Sequence, residues 1–157
     1  MGRLPPDDGA PEGATTWRNE GVVRGYFEAV WNGRDLGAFD TDAVSDGYVL
    51  HHGTDATYSV DDLRTAWADW HEAFPDARNE IEDVIAAGDR VVVRYRFTGT
   101  QTGPVLSVPA TGRAVETAGI VVFRVDDGRL VEAWAMDDVY SLLKQLGAIP
   151  ERIESRE

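Results

Sequence analysis

Few side chains in this sequence are equipped for chemistry, and their types narrow what that chemistry can be. There is no cysteine, and the histidines are His51, His52 and His71. A thiol nucleophile, a thiolate zinc site and a cysteine-held iron–sulfur cluster are therefore excluded. The histidines show neither HxH nor HExxH spacing, so no metal site is expected. General acid–base work by a carboxylate and a histidine remains. The run Leu130–Asp138 reads as a strand, and alternation puts Glu132, Trp134, Met136 and Asp138 on one face and Val131, Ala133, Ala135 and Asp137 on the other. The small residues of the second face suit packing against another layer. The first face sets carboxylates beside a large aromatic and a thioether, which suits a ligand cavity. Desolvation there would raise the pKa of Asp138 toward the range of a working base. The competing role for Asp138 is to cap the following helix through the amides of Tyr140 or Ser141.

Other polar residues can be set against this strand. His51 and His52 are adjacent, so in extended chain they face opposite ways and only one can line a pocket. That one would donate a hydrogen bond to substrate or to Asp138, the alternative being a satisfied structural histidine. Arg94 and Arg96 share a face with Val92 and Thr98, where an arginine pairs with a carboxylate or positions a substrate oxygen. Residues 99–104, with Gln101, and residues 109–112 are turn-rich and read as cavity-rim loops. Neither has the lysine or the strand-to-helix context of a phosphate loop, and no Gly-x-Ser-x-Gly elbow occurs. The expected cavity is lined by Trp31, Tyr48, Trp67, Trp134, Met136 and Asp138.

The elements that must hold these residues follow from hydrophobic period. A chain of 157 residues with 43% hydrophobic content fits one domain. Residues 1–16 read as a flexible tail, 17–150 as the domain and 151–157 as a second tail. Helices are predicted over Trp17–Trp31, with Asn19 as cap, over Val60–Phe74 before Pro75, and over Val139–Leu146 before Gly147. Strands are predicted over Asn79–Ala87, Arg90–Thr100, Arg113–Val125 and Leu130–Asp138, with turns at Gly88-Asp89 and Asp127-Gly128. This order gives an α+β fold in which a strongly curved antiparallel sheet wraps around the helices and leaves a pocket. A net charge of -13, with Lys144 the only lysine, argues against nucleic-acid binding and suits a protein adapted to concentrated salt. No apolar run approaches a membrane span, so a soluble cytoplasmic protein is expected.

Several strings together carry a resemblance: residues 26–32 (YFEAVWN), 74–76 (FPD), 88–94 (GDRVVVR), 99–103 (GTQTG), 109–113 (PATGR), 127–134 (DGRLVEAW), Asp138 and 142–147 (LLKQLG). Over residues 19–147 the chain resembles the SnoaL-like polyketide cyclase (ester cyclase) family of the NTF2-like superfamily. The resemblance implies a cone-shaped fold, no metal or organic cofactor, and a small hydrophobic carbonyl-containing substrate. It also implies a homodimer or higher homo-oligomer. In cyclases of the family an aspartate ending the last strand is the general acid/base of an intramolecular aldol closure, and Asp138 falls on that position. Met136 and Gln101 stand where relatives often have histidine. Limonene-epoxide-hydrolase relatives use an Asp–Arg–Asp grouping, to which Arg94 and Asp138 would contribute. A non-catalytic module holding a hydrophobic ligand is the alternative of a different class.

Overall fold

Val23, Tyr26, Phe27, Val30 and Trp31 recur at three-and-four spacing, and in the computed structural model, which describes residues 12–150, all five are buried. They lie on α1 (Glu12–Tyr26) and on a π-helical turn, Phe27–Asn32, that continues it. The Gly33 amide closes the wider turn on the Glu28 carbonyl at 2.7 Å. A side chain at Gly33 would press on the Ala29 carbonyl, which is why the turn ends on glycine. The helix starts at Glu12 rather than Trp17, so residues 12–16 belong to it and not to a tail. The remaining tail assignments, residues 1–11 and 151–157, lie outside the described residues. Asn19 is no cap. It is buried within α1 and its side-chain amide donates to the Gly88 carbonyl at 3.1 Å, fastening the helix to a hairpin turn.

Helix α2 (Val60–Ala73) begins with a reciprocal capping box between Ser59 and Asp62, and Pro75 prevents its continuation. The strands are β1 (Val44–His52), β2 (Ala56–Tyr58), β3 (Arg78–Ala87), β4 (Arg90–Thr100), β5 (Ala114–Asp126) and β6 (Arg129–Asp137), followed by α3 (Val139–Gln145). They form one sheet in the order β2-β1-β6-β5-β4-β3. The meander β3 to β6 follows the expected boundaries closely. Its last turn takes positive φ at Asp127 and Gly128, as a tight hairpin requires. β1 and β2 are additions, and β1 runs parallel to β6, which sets His52 opposite Ala135. Register shifts in β1, β3 and β6 bend the sheet into a cone around α1.

The concave face carries Val91, Val93, Tyr95 and Phe97 from β4, Val121 and Phe123 from β5, and Ala133 and Ala135 from β6, all buried. Tyr26 of α1 lies edge-on to Phe123 at 5.9 Å, so bulk comes from the helix and the small residues come from β6. The convex face carries Trp134, 37% exposed, and Met136, 63% exposed. The alternation along β6 is as expected, but the face assigned to the cavity is the outer one. Alanine at positions 133 and 135 makes room for the aromatic helix, and Trp134 and Met136 therefore point away.

Candidate active site

Between the concave face and α2 lies a cavity of about 580 Å³, within the range of small-molecule sites. Trp31, Trp67, Tyr95 and Phe97 supply apolar wall, and Pro104, Val105 and Leu106 border it from the loop after β4. The charged side chains lining it are Asp69, Glu72, Asp137 and Asp138, with no lysine or arginine among the described lining residues. His52, Asn79, Thr117 and the tyrosines Tyr26, Tyr58 and Tyr95 add polar groups.

Asp137 is where these elements converge. Tyr95, Gly119 and Asp137 occupy one row across β4, β5 and β6. A Cβ at Gly119 would lie 2.3 Å from the Tyr95 hydroxyl and 2.4 Å from Asp137 Oδ1. Glycine at 119 thus opens the gap through which the Tyr95 hydroxyl donates to Asp137 Oδ1. From the other side, on β1, His52 Nε2 donates to Asp137 Oδ2 at 2.8 Å. Each carboxylate oxygen therefore has one donor, delivered by a different strand.

The Asp137 hydrogen bond raises the pKa of His52 above its ordinary value, against the opposing effect of burial. A histidine with a raised folded-state pKa stabilises the fold fully below the unfolded value, about 6.5, and loses that contribution as pH rises through the folded value. The pair is thus an ion pair below the raised pKa of His52 and a neutral histidine donating to the carboxylate above it.

Of the residues singled out from the sequence, Trp31, Trp67, His52 and Asp138 border the cavity. His51 faces outward, pairs with Glu132 at 2.9 Å and stacks on Trp134. Trp134 and Met136 are on the convex face, as described. Arg94 also lies outside, bound to Glu82 and Asp83 of β3, so no Asp–Arg–Asp grouping forms with Asp138. Tyr48 is buried beneath Tyr26 rather than lining the cavity. Gln101 is fully buried, donating to the carbonyls of Val108 and Pro109 and accepting from Thr111, so it pins the rim loop instead of meeting a ligand. Sequence reasoning missed Asp137, Tyr95 and Gly119. A glycine inside a β-branched strand was the available signal, since it marks close approach of neighbouring groups.

A six-stranded cone around an N-terminal helix, with an apolar cavity holding a fixed carboxylate, is an NTF2-like α+β protein. The model of the SnoaL-like polyketide cyclase family matches residues 21–146, and the chain belongs to that family. Among solved structures it is similar to AclR, a candidate hydroxylase from Streptomyces galilaeus, at 26% identity and a TM-score of 0.77, covering 86% of this chain and 99% of that one. TsrD from Streptomyces laurentii is 28% identical with a TM-score of 0.74, covering 85% and 97%. IdmH, a candidate polyketide cyclase from Streptomyces antibioticus, is 29% identical with a TM-score of 0.71, covering 82% and 98%. No curated protein matches the chain. Family and fold support a cyclase or isomerase kind of function.

Asp138, the residue expected to act as base, has its carboxylate committed to the helix that follows. It accepts from the Ser141 amide at 2.9 Å as N-cap of α3. Hydrogen bonds from Ser141 hold its pKa below the ordinary carboxylate value, the opposite of the shift expected for a desolvated base. A depressed carboxylate contributes stability above its unfolded pKa and loses it as pH falls through the folded value. Asp138→Ala should therefore lower unfolding stability at neutral pH by about 0.5–2 kcal/mol and Asp138→Asn by less, as for other helix caps. Urea unfolding checks this, and the alanine deficit should shrink in acid.

Proposed function

We propose that the protein is an acid–base enzyme of the cyclase or isomerase kind in which Asp137 exchanges a proton with a carbon next to a carbonyl. The observation that carries this reading is the Asp137 carboxylate bordering the cavity with a donor on each oxygen, Tyr95 on Oδ1 and His52 on Oδ2. Both donors hold the carboxylate in place at the cavity wall. A positioned carboxylate suits a carbon acid whose proton is already acidified by flanking carbonyl groups or aromatic conjugation. Because four carboxylates border the cavity and no lysine or arginine is among its described lining residues, the substrate is neutral, an ester or ketone rather than a free acid. In the forward step the C–H electron pair becomes the enolate and the proton passes to Asp137. The enolate carbon then attacks a second carbonyl carbon, and the resulting alkoxide takes back a proton. No cofactor is needed, since the substrate's conjugation spreads the charge and the cavity supplies orientation.

Proton exchange tests the role without knowledge of the natural substrate. The parent should accelerate exchange of the α-protons of 2-tetralone in D2O, followed by proton NMR. Asp137→Asn should slow it by about 100-fold or more, in line with loss of a positioned base, while Asp138→Asn should leave it within a few-fold. Unchanged exchange in Asp137→Asn contradicts the reading. Tight binding of the ketone without acceleration in the parent would favour a non-catalytic ligand-binding module.

The reading extends to a homodimer built on the convex face of the sheet. Ile85 and Trp134 lie in one row across β3 to β6, Ile120 and Met136 in the next, and all four are exposed. An apolar patch of this kind suits burial against a second copy. In sedimentation at high salt the parent should run as a dimer and the double variant Ile120→Glu/Met136→Glu as a monomer. A monomeric parent contradicts the proposal.

A further inference from the structure

Two buried donors beside the cavity have no hydrogen-bond partner, Trp31 Nε1 and the Tyr48 hydroxyl. Buried polar groups in native proteins are nearly always satisfied, so two together call for an explanation. Both belong to residues packed around Tyr26. The Tyr48 ring lies 6.1 Å from the Tyr26 ring and nearly edge-on to it, and Trp31 follows Tyr26 in the π-helical turn. Tyr26 and Trp31 line the cavity, whereas Tyr48 sits behind them.

We propose that Tyr26, backed by Tyr48 and Trp31, forms a second hydrogen-bonding subsite of the cavity that holds a neutral ligand oxygen, hydroxyl or carbonyl, remote from the carbon that reacts at Asp137. The inference rests on the acid–base reading only for where the reacting carbon lies. The donor inventory carries it. An indole N–H only donates, while a phenol has one hydrogen to give and two lone pairs to receive. Trp31 and Tyr48 can both be accommodated if each donates to the Tyr26 oxygen. Burial pushes the Tyr26 phenol well above its ordinary pKa, but Tyr48 and Trp31 act in the opposite sense, as donors directed at its oxygen do. The Tyr26 hydrogen is then left to be satisfied from elsewhere. Its other ring neighbours, Phe39 and Phe123, are apolar. Tyr26 lines the cavity, so a ligand oxygen there can accept that hydrogen.

The geometry also says which ligand would use it. With Trp31 and Tyr48 turned onto it, the Tyr26 oxygen would have its O–H polarised and the bond it gives to a ligand strengthened. Trp31 lies edge-on to Tyr95 at 4.7 Å, and Tyr95 in turn holds Asp137. The subsite therefore adjoins the acid–base group through one aromatic side chain, as a ligand with a flat body and oxygens at both ends requires. An anionic oxygen is disfavoured by Asp69, Glu72, Asp137 and Asp138 around the same cavity.

Two ligands that differ only by the remote oxygen, 6-hydroxy-2-tetralone and 2-tetralone, test the proposal through quenching of tryptophan fluorescence. The parent should bind the hydroxylated ketone about tenfold more tightly, a difference of about 1.4 kcal/mol. Tyr26→Phe should remove that preference and Tyr48→Phe should reduce it, whereas Asp137→Asn should retain it while losing α-proton exchange. The last variant separates failure of the subsite from failure of the acid–base reading. Equal affinities in the parent, or a preference that survives Tyr26→Phe, overturn the subsite. If Tyr26→Phe does not fold, the tyrosine Cζ resonance of Tyr26 in 13C-labelled parent decides. It should move more with the hydroxylated ketone than with 2-tetralone, and equal movement overturns the proposal.

Discussion

The site depends on one carboxylate being reached from strands on both flanks of β6. Asp137 is the last residue of β6, and β5 separates it from the strand that carries Tyr95. A side chain on β5 at that row would occupy the space the phenol needs. Gly119 leaves it empty, and the Tyr95 hydroxyl crosses to Oδ1. The parallel pairing of β1 with β6 delivers His52 to Oδ2 from the other flank. Four strands thus fix one acid, and a shift of β6 by one residue would turn Asp137 to the convex face. The hydrophobic contacts that set register also set the chemistry.

The division between the faces of the sheet has the same origin. α1 brings Tyr26, Phe27 and Trp31 into the cone, and β6 answers with Ala133 and Ala135. Large residues on β6 have nowhere to go except outward, which accounts for Trp134 and Met136 on the convex face with His51 and Glu132 beside them. Three arginines of β4 and β5 are likewise outside, Arg94 and Arg96 on Glu82 and Arg124 on Glu132. Positive charge is thereby removed from the cavity, which keeps aromatic walls, carboxylates and one histidine.

Much of the fold was legible because its signals are local. Period-two alternation, the Asp127-Gly128 turn and the helical period from Val60 to Phe74 with Pro75 beyond mark the meander and α2 within a residue or so. β1 was less legible, since its pairing is with a strand some eighty residues away. The site was half legible. Alternation correctly separated His51 from His52, but it cannot say which face is inside. Bulk on Trp134 and Met136 argued for the wrong one, because the volume filling the cone comes from α1 rather than from the sheet. Asp138 matches the position suggested by the family resemblance, yet the strand ends one residue earlier and the helix takes its carboxylate. Tyr95 could not have been paired with Asp137 without knowing that β4 and β6 flank the same glycine.

The coupling of His52 to Asp137 is the claim on which the account turns, and a titration of the His52 ring by 1H–15N NMR tests it most directly. With Asp137 in place, His52 should titrate above the ordinary histidine value of about 6.5, because its charged form is held by the carboxylate. In Asp137→Asn the titration should fall to or below that value, since burial alone then acts on the ring. A His52 that titrates at or below the ordinary value in the parent, or that is unmoved by Asp137→Asn, would contradict the account.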